Sequence, residues 1–179
     1  MRWTEAEIGD QGGKTFLVTG ANSGLGYETT RALLAKGARV IMAVRSEAKG
    51  RAAVQKLGGG ELRIVDLADL DSVRALAAGL RRDREQTSGP TGVMKAFMRV
   101  GNAVLAQPAA RGALNQLYAA VDPRAEGGQF IGPDGMGENR GWPSVVEPVA
   151  RAKDPADAQR LWTLSEQLTG VQFEGARSR

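Results

Sequence analysis

The chain contains no cysteine and no histidine. Without cysteine there are no disulfides, no thiol nucleophiles and no sulfur ligands for a metal. Without histidine there is no imidazole ligand and no Ser-His-Asp arrangement. Chemistry in this chain has to run on tyrosine, lysine, serine, carboxylates or a bound cofactor. Aromatic residues are scarce, at 5%, and the only tyrosines are Tyr27 and Tyr118. No apolar run approaches the roughly 20 residues that a membrane-spanning helix needs. The start, Met1-Arg2-Trp3-Thr4-Glu5, lacks the apolar core of a secretory leader. A cytoplasmic protein with no membrane span is therefore expected. Charge of one sign is not concentrated either. The net charge is +4, but the densest basic group, Arg81-Arg82-Asp83-Arg84-Glu85, is interrupted by acids, which argues against nucleic acid as a partner.

What is present suits one domain with a real core: 179 residues, 42% hydrophobic and 25% charged. The chain is organised around Val18-Thr19-Gly20-Ala21-Asn22-Ser23-Gly24-Leu25-Gly26-Tyr27. An apolar run from Thr15 leads in, and a helix-like stretch from Glu28 leads out. A strand, a glycine-rich turn and a helix start make the arrangement that holds a nucleotide's pyrophosphate. Glycine allows a reversal with φ > 0 and a close approach of backbone to phosphate, and the helix aims its free N–H groups and positive dipole end at the anion. The spacing departs from Gly-x-Gly-x-x-Gly: Gly24 and Gly26 fit, but Thr29 stands in the third place. Gly13-Lys14-Thr15 imitates the end of a Walker loop, but the position of its first glycine is Ile8, and it precedes the strand instead of following it.

In order along the chain, residues 1–13 read as a polar lead-in. Strand one covers Thr15 to Thr19, and helix one runs from about Gly24 to Lys36, stopped by Gly37. Strand two, Arg39 to Val44, is a continuous apolar run, as expected of a strand buried on both faces of a parallel sheet. Ser46 caps a second helix that ends at Gly58-Gly59-Gly60. Strand three is Leu62 to Asp66. Asp69 or Asp71 caps a third helix with a core-facing stripe of Val73, Leu76, Ala77 and Leu80. Three strand–helix units in series predict a right-handed parallel half-sheet, strand order 3-2-1. The pattern then breaks over 81–92. Val93, Phe97, Val100 and Val104 have helical spacing. A further helix after Pro108 turns Ala110, Ala113, Leu114, Leu117 and Val121 inward. Gln129 to Ile131 forms at most a short strand, and Gly132 to Gly141 a glycine-rich loop. Asp154 and Pro155 start a last helix, with Ala158, Leu161, Trp162, Ser165 and Leu168 on one face and Gly170 as its stop. Residues 175–179 read as a loose tail.

Arg45 ends strand two, 19 residues after Gly26. In dinucleotide folds an acid near this place holds the ribose hydroxyls of NAD, while an arginine accommodates the 2′-phosphate of NADP. Thr19-Gly20-x-x-x-Gly24-x-Gly26 is the glycine pattern of the short-chain dehydrogenase/reductase family. Residues 14–80 resemble that family's cofactor half, close to its retinol dehydrogenase and protochlorophyllide reductase type. Gly132-Pro133-Asp134-Gly135 with Glu138, Arg140-Gly141 and Pro143 is similar to the subfamily's C-terminal loop, and Arg160-Leu161-Trp162 to its last helix. The resemblance implies an incomplete Rossmann-type α/β fold and an NADP(H)-binding oxidoreductase, NAD(H) being the lesser fit. It implies a cofactor site of Gly20, Asn22, Ser23, Gly24, Leu25, Gly26 and Arg45, with Asp66 and Leu67 as the adenine-contacting pair. For Asp66 a plain turn role is the alternative.

The family's central segment is missing: Asn-Asn-Ala-Gly after strand four, the catalytic serine, the Tyr-x-x-x-Lys helix and the Pro-Gly turn. Four residues after Tyr27 stands Arg31, and four after Tyr118 stands Asp122, neither of them lysine. No residue is assigned a catalytic role and none a metal. The expectation is a single truncated domain over 1–179, with a cofactor-binding half over 14–80, a join at 81–92 and C-terminal helices and loop over 93–174. Its function is to bind dinucleotide without complete catalytic machinery. Two alternatives stand beside it: an active oxidoreductase completed by a partner or by residues of another kind, and a partial gene product with no independent role. The first strand loses its neighbour on one edge, and that edge invites another chain, in a homo- or hetero-oligomer, or the short strand near Phe130.

Overall fold

Three short strands set the architecture. The structure is a computed structural model and describes residues 2–85, 108–135 and 140–172. Strands β1 (Thr15–Thr19), β2 (Arg39–Val44) and β3 (Glu61–Ile64) form a parallel sheet in the order β1-β2-β3. This is the expected order 3-2-1 read from the other edge. On one face, Phe16, Val18, Val40, Met42 and Val44 enter the core. On the other face, Ile41 and Ala43 of the central strand are buried as well, as the unbroken apolar run of β2 predicts. Where the strands begin, Arg39 grips Glu61 with two bonds of 2.5 and 2.9 Å.

Helices α1 (Gly24–Ala35) and α2 (Glu47–Leu57) connect successive strands. Gly37, at φ 82°, ends α1, and Gly58, at φ 70°, ends α2, each using the left-handed conformation that only glycine adopts cheaply. Ser46 caps α2 through a bond of 3.5 Å from the Lys49 N–H. Helix α3 (Leu70–Glu85) starts at Asp69, whose carboxylate accepts the Asp71 N–H at 2.9 Å. The stripe expected to face the core does not reach it. Val73, Leu76 and Leu80 are half-buried, and Ala77 is exposed. β3 ends the sheet, so α3 has no further strand to lie over among the described residues.

Helix α4 (Ala109–Val121) buries Ala113, Leu114 and Leu117 in the same core. Of two others expected inward, Val121 is half-buried and Ala110 is exposed. The short strand near Phe130 is displaced from its expected place. It is β4 (Ile131–Pro133), paired antiparallel with β5 (Pro143–Val145), a strand for which the sequence carries no signal. Phe130 itself is 51% exposed. Because β4 takes β5 as its partner, it is not the cover for the open edge of β1. Asp134 closes the hairpin loop: its N–H donates to the Trp142 carbonyl at 2.9 Å, and its carboxylate accepts the Trp142 N–H at 2.7 Å.

The N-terminal stretch is not a solvated lead-in. Trp3 and Ile8 are only 2% and 3% exposed and belong to the core. A 3-10 turn, Glu5–Glu7, is held by a reciprocal capping box between Thr4 and Glu7. The Trp3 indole N–H donates to Asp122 at 2.7 Å, and its ring meets Tyr118 edge-on at 5.6 Å. Arg124 adds a two-pronged bond of 2.8 Å on each prong to the same carboxylate. That guanidinium, with the Trp3 N–H, holds the Asp122 carboxyl well below the usual carboxylate range against the cost of burial. Two apolar residues five places apart in a polar run carry no readable period, which is why the sequence hid this docking.

Residues 147–179 make a second compact unit after the first, Met1–Val146. It holds a 3-10 turn, Ala150–Lys153, and helix α5 (Pro155–Thr169). Asp154 caps α5 by accepting the N–H groups of Ala156 and Asp157 at 2.8 and 3.3 Å, and Gly170 ends it at φ 65°. No residue of α5 is buried, so the face bearing Leu161 and Leu168 is exposed. No helix among the described residues is long and apolar enough to cross a membrane. The helical spacing of Val93, Phe97, Val100 and Val104 and the tail at 175–179 lie outside the described residues.

Candidate nucleotide site

The turn between β1 and α1 is built by three glycines with different tasks. Gly20 and Gly24 have φ of 64° and 56°, and a Cβ on either would meet nothing within 4 Å. These two let the chain reverse and leave open space above it. Gly26 has the opposite task. A Cβ there would lie 2.5 Å from the Gly20 carbonyl oxygen and 3.0 Å from that of Thr19. The close approach is thus internal: it lets the first turn of α1 sit against the end of β1. Gly20 is anchored in turn, its N–H donating to the Ala43 carbonyl of β2 at 2.9 Å.

Ser23 is the N-cap of α1 and makes no side-chain capping bond. The first-turn N–H groups therefore stay available to an anion or to water. Asn22 is half-buried beside Ser23, and Ala21 is fully buried. Leu25 points away from this opening and packs on α4, where a Cβ at Gly112 would lie 2.6 Å from Leu25 Cδ2. One turn further on, the Thr29 hydroxyl donates to Gln116 Oε1 at 3.2 Å, again 87 positions apart. The repeated offset means that α1 and α4 run parallel and in register, with their N-terminal ends on the same side. Gly112 and Gln116 were missed in the sequence. A glycine in the middle of an apolar helix face was the available sign of close helix packing.

The parallel register brings the other expected residues to the same edge of the sheet. Gly20, Arg45 and Asp66 each follow a strand at its carboxyl end, and the Val65 N–H still reaches the Val44 carbonyl at 2.9 Å. That edge is where ligands bind in open α/β sheets. Arg45 is exposed there and forms no ion pair among the described residues. Asp66 has a turn role: its Oδ1 accepts the Ala68 N–H at 3.0 Å, and its own N–H donates to the Ser72 hydroxyl at 3.0 Å. This occupies one carboxylate oxygen. Leu67 is 42% exposed beside it.

The two tyrosines do not build a proton-transfer pair. Tyr27 packs its ring on the core, with the Lys56 ammonium 5.5 Å from the ring centroid. Tyr118 lies in the last turn of α4 against Trp3, at the end of that helix remote from Leu25. Among the described residues no three carboxylates gather as a metal site would require.

The profile of the short chain dehydrogenase family matches residues 14–87. A short-chain dehydrogenase/reductase of Armillaria gallica is 49% identical over 78 residues, 41% of this chain and 25% of that protein. Retinol dehydrogenase 12 of Bos taurus is 39% identical over 80 residues, with the same coverage of 41% and 25%. Over residues 14–87 the chain is similar to the short-chain dehydrogenase/reductase family, and it spans about a quarter of the length of these relatives. A solved structure of an uncharacterized protein from Mycobacterium Paratuberculosis superimposes with a TM-score of 0.76 at 25% identity. It covers 97% of this chain and 100% of its own. The fold is α/β of Rossmann type, with a three-stranded parallel sheet flanked by helices.

Proposed function

We propose that the chain binds a dinucleotide, NADP(H) in preference to NAD(H), at the carboxyl edge of the three-stranded sheet, and that it holds this cofactor without a complete catalytic set. The glycine turn carries the reading. Two left-handed glycines, Gly20 and Gly24, leave open space over an α1 start that has no side-chain cap, which suits a pyrophosphate. Asn22, Ser23, Leu25 and Gly26 shape that turn. Arg45 would face the 2′-phosphate of the adenosine, and Asp66 and Leu67 the adenine. The family relationship supports an oxidoreductase ancestry. Neither tyrosine has a lysine at its hydroxyl among the described residues, so the described residues offer no positioned proton donor for a carbonyl.

Equilibrium titration of the full chain with NADP and with NAD tests the reading. Saturable binding with NADP the tighter ligand is expected. Gly24→Val abolishes it, because a β-branched side chain resists φ > 0 and enters the space above the turn. Binding that persists unchanged in Gly24→Val places the nucleotide elsewhere. An oligomer formed through β1 would complete the sheet with a partner's strand. Size-exclusion chromatography with light scattering is expected to show a species larger than 18.9 kDa if that edge is used.

A further inference from the structure

We propose that Arg2, Arg111 and Trp142 form a second ligand site, for a small oxyanion bearing a phosphate or carboxylate group. The guanidinium carbon of Arg111 lies 4.7 Å from the Trp142 ring centroid, and that of Arg2 lies 5.7 Å from it. Two cations thus share one indole. The ring attracts each guanidinium electrostatically, but it uses none of their hydrogen-bond donors. Neither guanidinium has an ion-pair or hydrogen-bond partner among the described residues. Arg31, Arg39, Arg51, Arg63, Arg74 and Arg124, by contrast, are each matched to a carboxylate; Arg45 is unpaired too, but no second cation shares an aromatic ring with it among the described residues.

The platform under the two cations is fixed. Trp142 is half-buried, packs against the core and is tied to Asp134 through both its N–H and its carbonyl. Asp134 is an acid of the same hairpin. It spends Oδ1 on that backbone bond and forms no ion pair with either arginine. Arg111 stands on α4, and Arg2 enters from the N-terminal stretch whose next residue, Trp3, is buried. Three separate parts of the chain therefore deliver two like charges to one ring. Like charges brought together repel, and an anion that accepts from both forks converts the repulsion into attraction. A guanidinium fork matches the oxygens of phosphate and carboxylate alike, so both belong to the class.

This inference does not rest on the dinucleotide reading, because none of the three residues belongs to the glycine turn. The test is a titration of the full chain with inorganic phosphate, and separately with acetate, at an ionic strength held constant with sodium chloride. The readout is the indole and arginine side-chain N–H resonances by heteronuclear NMR. Saturable shifts at Trp142, Arg2 and Arg111 are expected with at least one of the two anions, and which one binds identifies the preferred group. Arg111→Gln and Arg2→Gln should each weaken binding about 10-fold, the worth of one charge-assisted hydrogen bond. Both positions are at the surface, so the melting temperatures of these variants should stay near that of the parent. Gly24→Val should leave the binding intact. Shifts that never saturate, that chloride alone reproduces, or that survive both arginine substitutions overturn the site. Loss of binding in Gly24→Val with both arginine variants unaffected would overturn it too, by moving the anion to the glycine turn.

Discussion

Adding one methyl group at Gly26 tests the internal packing of the turn. In Gly26→Ala the new Cβ would sit 2.5 Å from the Gly20 oxygen, 2.8 Å from the Gly20 carbon and 3.0 Å from the Thr19 oxygen. All three are backbone atoms. Gly20 cannot retreat freely, because its N–H is held by Ala43 at 2.9 Å. Overpacking of this kind costs roughly 1–3 kcal/mol, and loss of the Gly20 bond would add about 1 kcal/mol. Alanine returns roughly 0.5–1 kcal/mol through helix propensity. The net expectation is a loss of about 1–3 kcal/mol. At roughly 2–4 °C per kcal/mol for a chain of this size, the melting temperature should fall by several degrees. Gly112→Ala is the control. Its Cβ would lie equally close, 2.6 Å, but to Leu25 Cδ2, the far end of a flexible side chain. The leucine can turn aside, so the helix-propensity gain should leave this variant within about 0.5 kcal/mol of the parent. Thermal and urea melts of both variants give the answer. A Gly26→Ala protein as stable as the parent, or a Gly112→Ala protein equally damaged, would refute the distinction between a backbone wall and a side-chain wall.

Three further outcomes are expected. Arg45→Asp should lose the preference for NADP over NAD by about 10- to 100-fold, since a charge-assisted contact of roughly 1.5–3 kcal/mol becomes repulsion; equal affinity of the parent for both nucleotides would remove the basis for that role. Asp122 has a folded-state pKa below its unfolded value, so its contribution is present above about pH 4 and is lost as pH falls toward the folded pKa. Asp122→Asn should lower the melting temperature at neutral pH and flatten the decline seen in acid, and an unchanged acid profile would contradict this. On the proposed reading the isolated chain with NADPH should reduce no aldehyde, ketone or retinoid, because it would lack general acid–base help worth about 10²- to 10⁴-fold along with orientation of the reacting ring. Stereospecific oxidation of NADPH that survives Tyr27→Phe and Tyr118→Phe would reveal a catalytic site of another composition.

The legible parts of the fold were those written in local chemistry. β1, β2 and the helix stops at Gly37, Gly58 and Gly170 stand where the apolar runs and glycines put them. Ser46, Asp69 and Asp154 cap the helices that their positions announced. The glycine turn was legible for the same reason: φ > 0 at Gly20 and Gly24 is a property of the residue itself. What escaped was tertiary. Trp3 and Ile8 are core residues because α4 and its Asp122 lie over them, and no periodicity encodes that. β5 is three residues beginning with proline, a poor strand by any local rule, and it exists because Asp134 folds the hairpin back on Trp142. The α3 stripe was correct as a pattern, but a pattern states which face is apolar and not whether anything covers it.

How the three-stranded half-sheet closes among the described residues follows from α4. Its first turn is set against the glycine turn by Leu25 and Gly112, its middle by Thr29 and Gln116, and its end by Trp3, Tyr118 and Asp122. The helix is thus fixed along its whole length to α1 and to the N-terminal stretch, and Leu114 and Leu117 extend the core shared with the sheet. The arrangement is not peculiar to this sequence, since a solved chain 25% identical to it matches over 97% of its length. The turn itself depends only on β1, the start of α1 and the Gly20–Ala43 bond to β2, all of which lie in the first 43 residues. Its geometry needs nothing from a fourth strand. Dinucleotide binding and hydride transfer should therefore separate in this chain: the phosphate-binding end stands on local geometry, whereas orientation of the reacting ring requires walls on its other side. The pairing of the two experiments decides it. Saturable NADP binding without turnover is the expected result, and turnover by a chain that fails to bind NADP at the glycine turn would overturn the argument.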